Sequence, residues 1–257
     1  MSATEQRRAL EAVGDFFQPI ELNLYDASVD AFGPLALAAA ASDHPASAEP
    51  PTGMAFRCFT YIYNDLASIN WNVFRPSSPA DCWPPQKIFD TIRDEFSEFA
   101  RGGTVNLTNF GKSEAARLQP HLEKMRGVKP KQDYPIMTVS KFLHFFNPSL
   151  FPIYDTEYIY YKVLAGYFKS DFRDFCDRER LPYTVFMNKD TVDFLPAYMR
   201  WASSYLSVAH SRFMDVCAEW LAEQPGAHMS SRKFDPRTLY ARAFEYTAIG
   251  AAKAEGW

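Results

Sequence analysis

From residue 86 to residue 100 the apolar side chains return at helical intervals: Ile88, Phe89, Ile92, Phe96 and Phe99. Steps of three and four place all five on one face of an α-helix. Leu10, Val13 and Phe17 show the same spacing in residues 4–17, and Phe59, Ile62, Tyr63, Leu66 and Ile69 show it in 56–73. Such segments are separated by prolines, of which there are 18 against 11 glycines. Few glycines with long amphipathic segments mean helices joined by proline-marked turns.

The spacing therefore predicts a mainly α fold. Helices are expected over 4–17, 28–41, 56–73 and 86–100, the last ended by Gly102-Gly103. Residues 111–126 read as a weaker helix, interrupted at Pro120 and closed by Gly127. Further helices follow at 156–168, 171–179 and 190–223, the last with a break near Ser207. Asp235-Pro236, an N-cap followed by proline at the first helical position, starts a final helix to about Lys253. Ile20, Leu22 and Leu24 alternate with polar residues, which allows a short strand or extended arm. Ser42–Gly53 reads as a linker. It divides the chain into an N-terminal helical arm, 1–53, and a helical core domain, 54–257, open to division into two subdomains sharing a cleft.

Hydrophobic residues make up 47% of the chain, with 22 Phe and 14 Tyr, enough for a packed core. The net charge of −4 excludes a whole-surface electrostatic grip on nucleic acid, so only a local basic face could supply one. Arg101 to Lys141 holds eight Lys or Arg against three acids, a local excess of five. Arg117, Lys124, Arg126, Lys129 and Lys131 are the candidate phosphate contacts in that stretch. For any single charge, a solvated helical face is the plainer reading.

Cys58, Cys82, Cys176 and Cys217 are far apart and form no CxxC pair, as in an intracellular protein with reduced thiols. The N-terminus lacks an apolar signal core, and no apolar run approaches the ~20 residues that span a bilayer. The expectation is a soluble cytoplasmic protein with no membrane contact. The five histidines do not fall at metal-ligand spacing, and the phosphate-loop, dinucleotide and nucleophile-elbow motifs are missing. Neither a metal nor a cofactor is expected.

The stretch that carries chemistry is Thr138 to Tyr161. Thr138 can cap a short apolar helix beginning at Val139, which places Lys141 in its first turn. The positive end of the helix, with desolvation, would lower the amine's pKa toward the neutral form that Schiff-base chemistry needs. On pattern alone a solvated or ion-paired lysine is the plainer reading. Pro148 and Pro152 rigidify the turn that follows. Asp155 precedes the next apolar helix and reads as its N-cap, a role compatible with acting on a substrate. Phe142, Leu143, Phe145 and Phe146 read as core, and His144 as a structural histidine.

Val-Ser-Lys, an apolar helix and then Phe-Pro-Ile-Tyr-Asp resembles the lysine-and-aspartate segment of the helix-hairpin-helix DNA glycosylases, in particular the 8-oxoguanine glycosylase branch. The resemblance covers about 25 residues. It implies a multi-helix architecture with a cleft between helical layers and DNA as partner. By it, Lys141 matches the nucleophile that attacks the sugar carbon, and Asp155 the carboxylate that stabilises the sugar cation and assists proton transfer. The implied activity is removal of a damaged base, with accompanying AP-lyase chemistry. The family's glycine-bearing hairpin turn falls here on Tyr134-Pro135-Ile136-Met137-Thr138-Val139, which has no glycine. The alternative is a catalytically inactive relative, serving as a protein or nucleic-acid interaction module in a stress or phage response.

Overall fold

The computed structural model describes residues 3–14, 91–92, 94–100, 103–127, 134–182, 185, 191–208, 219–220, 223 and 236–256. The expected helices at 28–41 and 56–73, the alternating arm, the linker at 42–53 and its domain boundary, residues 209–218 of the helix expected over 190–223, and Cys58, Cys82 and Cys217 lie outside the described residues. Among the described residues there are seven helices and no strand, so the fold is mainly α. The helices are α1 (Ala3–Gly14), α2 (Lys112–Glu123), α3 (Ile136–Phe146), α4 (Thr156–Tyr167), α5 (Lys169–Arg178), α6 (Phe194–Val208) and α7 (Pro236–Ala254). Two 3-10 turns, Ser97–Phe99 and Leu107–Asn109, precede α2.

α1 packs on α7, α7 on α4, α4 on α5, and α5 on α6. α6 in turn meets α2 and the Leu107–Asn109 turn. One cluster of buried side chains runs through the described core from Ile92 to Ala252. Its centre is aromatic. The Trp201 ring lies 5.3 Å from Phe168 and 5.7 Å from both Phe172 and Phe244, in edge-on contacts. Phe194 touches Tyr154 at 4.9 Å and stacks on Tyr198. Edge-on and offset rings each contribute about 0.5–1.5 kcal/mol beyond their buried area. Polar ties link the helix surfaces: Glu179 takes both Lys112 and Arg200, and Gln119 donates to Asp193.

Four local expectations are corrected. Pro120 lies inside α2 and does not interrupt it. The missing N–H frees only the carbonyl of Ala116, an exposed residue whose carbonyl solvent can reach. The C-terminal end of the 86–100 run tightens into the Ser97–Phe99 3-10 turn, where Phe99 donates to Phe96 O. Third, α3 starts at Ile136, with Pro135 as N-cap and no side-chain cap, instead of at Val139 behind Thr138. Burying Ile136 stabilises by about 1.5–3 kcal/mol, against about 1 for a hydroxyl cap. The positions matched to a glycine hairpin therefore form the first turn of α3. α2 is capped by Lys124, and Gly127, at φ 66°, ends the turn that follows it instead of closing the helix itself.

α4 is wound as a π-helix over its whole length. Tyr160 donates to Asp155 O at 3.0 Å and Phe168 to Val163 O at 2.8 Å, each five residues back. The sequence suits this winding: Ile159, Val163, Leu164 and Phe168 are buried and fall four and five apart. π winding is rare and mostly confined to single-turn bulges. In this winding a Cβ added at Gly166 would lie 2.9 Å from the Tyr161 carbonyl oxygen. In an ordinary exposed helix Gly→Ala gains about 1 kcal/mol. Gly166→Ala should instead lose about 1 kcal/mol or more, because the added methyl meets a carbonyl of the same helix that cannot swing aside. Chemical denaturation reads the sign, and a gain in stability would mean that α4 is an ordinary α-helix.

Candidate functional site

α3 is buried almost all round. Ile136, Val139, Phe142 and Leu143 are fully buried, and Phe146 nearly so. Among its described side chains only Met137 and Lys141 are not buried, and they lie one turn apart on one face. A helix with so little exposed face carries few charges. Lys141, partly exposed at the rim of the buried helix, is the one lysine in it. It is the sixth residue of α3, beyond the first turn to which the positive end of the helix is confined. Burial, and not that helix end, pushes its amine below the ordinary lysine value, while the negative charge of Asp155 opposes the shift.

Asp155 stands at the far end of the connection between α3 and α4, residues 147–155. Its backbone is extended, and its Oδ1 accepts from Glu157 N–H and Tyr158 N–H at 2.9 Å each. It is the N-cap of α4, as expected. Both bonds end on Oδ1, so Oδ2 makes neither.

Lys141 and Asp155 are held to each other through their chain neighbours. Tyr154 N–H donates to Ser140 Oγ at 3.0 Å, and Ser140 Oγ in turn donates to Met137 O at 2.9 Å. Ser140 and Tyr154 are both fully buried. The chain is therefore tied together one residue before each, and the negative charge of Asp155 is felt at the Lys141 amine. The turn between them is pinned as well. Asn147 Nδ2 donates to Phe99 O at 2.9 Å, and Leu107 N–H donates to Ser149 O at 2.9 Å. Pro148 and Pro152 are buried in this turn.

His144 is wholly buried, with Nδ1 2.7 Å from the carbonyl oxygen of Phe151. A carbonyl only accepts, so Nδ1 carries the proton and donates, and the residue is structural. Phe142, Leu143 and Phe146 are core, as expected; the Phe145 side chain lies outside the described ones. Sequence reasoning missed Glu245, a carboxylate only 2% exposed on α7 that accepts from Ile153 N–H. Its signal was available: with Ala241, Ala248 and Ala252 it falls at core spacing, an acid on a buried stripe.

The basic residues of α2 and of the turn that follows it are engaged with acids. Arg117 pairs with Glu98, Lys124 with Glu95, and Arg126 with Glu123 three residues before it. Arg117 and then His121 hold the Glu98 carboxyl below its usual range. A phosphate arriving at α2 must compete with these carboxylates. Lys129 and Lys131 lie outside the described residues.

Among the described residues no group of His, Cys, Asp and Glu could hold a metal ion. Cys176 is buried and its thiol is pushed up to about 11, which leaves little thiolate for reaction. No described helix is long and apolar enough to cross a membrane. Comparison with protein-family models, with curated proteins and with solved structures gives no match for this chain.

Proposed function

We propose that the chain is a glycosylase-like protein that acts on a damaged or abasic nucleotide in DNA, with Lys141 as nucleophile and Asp155 as its partner. One observation supports the reading: the buried Ser140–Tyr154 hydrogen bond ties the residue before Lys141 to the residue before Asp155, and the Asp155 charge acts on an amine that burial lowers. Burial increases the neutral fraction of the amine, the form that attacks carbon. In this mechanism the nucleotide is extruded from the duplex and the amine bonds to the sugar carbon. The bond to the base breaks as that bond forms, and the base leaves with the proton that the attacking nitrogen gives up; on an abasic sugar the hydroxyl leaves in the same way, as water. Asp155 steadies the developing positive charge on the sugar. Ring opening leaves an imine between Lys141 and the sugar, without metal or cofactor.

The test mixes the protein with oligonucleotides carrying an oxidised purine or an abasic site, in the presence of borohydride. Reduction of the imine gives a stable, slower-migrating adduct. Failure to trap any such adduct, on any of these substrates, would remove the enzymatic reading.

A second reading is supported by the ion pairs of α2. If Arg117, Lys124 and Arg126 are committed to acids, the chain is an interaction module related to the glycosylases, with its basic face serving structure. Binding to duplex oligonucleotide separates the two. The DNA-acting reading expects affinity to fall with salt, at a log–log slope of about −0.9 per phosphate neutralised. Binding that is absent at low salt supports the module as a protein-binding one.

A further inference from the structure

The strap from Phe151 to Asp155 is irregular, yet Phe151, Pro152 and Tyr154 are buried. Connections normally run over the surface, because buried irregular backbone has no partner for its N–H and C=O groups. Here side chains from three helices supply them. His144 on α3 donates to Phe151 O, and Tyr198 on α6 donates to Ile153 O at 3.4 Å. Ser140 on α3 accepts from Tyr154 N–H, and Glu245 on α7 accepts from Ile153 N–H. Glu245 Oε1 also lies 3.9 Å from His144 Nδ1, so the groups gripping Phe151 and Ile153 touch each other. The strap ends at Asp155.

We propose that Glu245 is a positioning residue for the Lys141–Asp155 pair: from the C-terminal helix it holds Ile153, and through it sets where Asp155 stands relative to Lys141. The proposal deepens the site reading above and rests on it for significance. Its geometry makes α7 part of the site although α7 contributes no reacting group. Ser140 fixes the strap from the α3 side and Glu245 from the opposite helix, so removing either should let the carboxylate drift.

The experiment follows the titration of Lys141 by NMR in full-length protein carrying 13Cε-lysine, with the signal assigned through Lys141→Arg. Asp155→Asn keeps the cap but removes the charge that opposes the burial shift, so it lowers the Lys141 midpoint. Glu245→Ala should shift the midpoint the same way, and the double variant no further than Asp155→Asn alone. Glu245→Gln, whose amide oxygen still accepts from Ile153, should titrate as wild type. If Glu245→Ala fails to fold, Glu245→Asp, one methylene short of Ile153, takes its place in the same comparison. A wild-type midpoint in the Ala or Asp variant, shifts that add in the double variant, or a Gln variant that shifts as far as Ala, would each overturn the proposal. No arm uses DNA. Failure to trap an adduct would therefore remove the proposed function and leave this result standing, and the reverse also holds.

Discussion

Lys141→Gln is expected to abolish borohydride trapping completely, because an amide nitrogen does not attack carbon. The fold should survive, since Lys141 is partly exposed on α3 while its neighbours on either side are core. Asp155→Asn should slow base release by about 10²–10⁴ while leaving DNA affinity nearly unchanged. Asn remains an acceptable N-cap for Glu157 and Tyr158. The pH dependence has a definite sign. The neutral amine is the reactive form, so trapping should rise with pH through a midpoint below the ordinary lysine range. Asp155→Asn should move that midpoint lower still. Stability follows the same group. Between the depressed folded value and the ordinary unfolded one, the folded state binds fewer protons, so stability climbs with pH across that window. Lys141→Gln should remove that climb. A rate profile with its midpoint at or above the ordinary lysine value would contradict the placement of the amine.

Trp201→Ala should cost about 3–5 kcal/mol. Trp201 is 4% exposed and joins Phe168 at the end of α4, Phe172 on α5 and Phe244 on α7. Removing the indole leaves a cavity where those elements meet, and close-packed rings on helix backbones can collapse into it only in part. Against a typical total of about 5–15 kcal/mol the loss is large. Urea unfolding reads it as a lower midpoint. A cost under about 1 kcal/mol would mean that the aromatic cluster is not the centre of the core. The same variant should weaken trapping only to the extent that it unfolds the protein, which separates a packing residue from a reacting one.

The helices were readable in the sequence because apolar spacing is a local signal: α2, α5 and α7 stand within a few residues of where periodicity put them, and α1 and α6 begin there. Asp155 was readable as a cap because capping involves neighbours, here two and three residues on. What escaped depends on distant partners. Thr138 looked like a cap, but burial of Ile136 extended α3 backward past it. Residues 156–168 read as helix, yet their four-and-five spacing belongs to the wider winding of α4. Glu245 lies 92 positions from the Ile153 N–H it holds, and Arg117 lies 19 from Glu98. Neither pairing has a sequence period. Lys141 and Asp155 could be singled out in the sequence; the Ser140–Tyr154 bond that ties their chain neighbours, across 14 positions, could not.

The decisive measurement is to locate the trapped bond. After borohydride reduction on an abasic-site oligonucleotide, the protein is digested and the peptides are sequenced by mass spectrometry. The expected result is a single sugar-derived mass on Lys141, formed in wild-type protein and reduced in Asp155→Asn. An adduct on any other amine, or none on Lys141 under conditions that trap the duplex, would show that the lysine beside Asp155 is a structural residue.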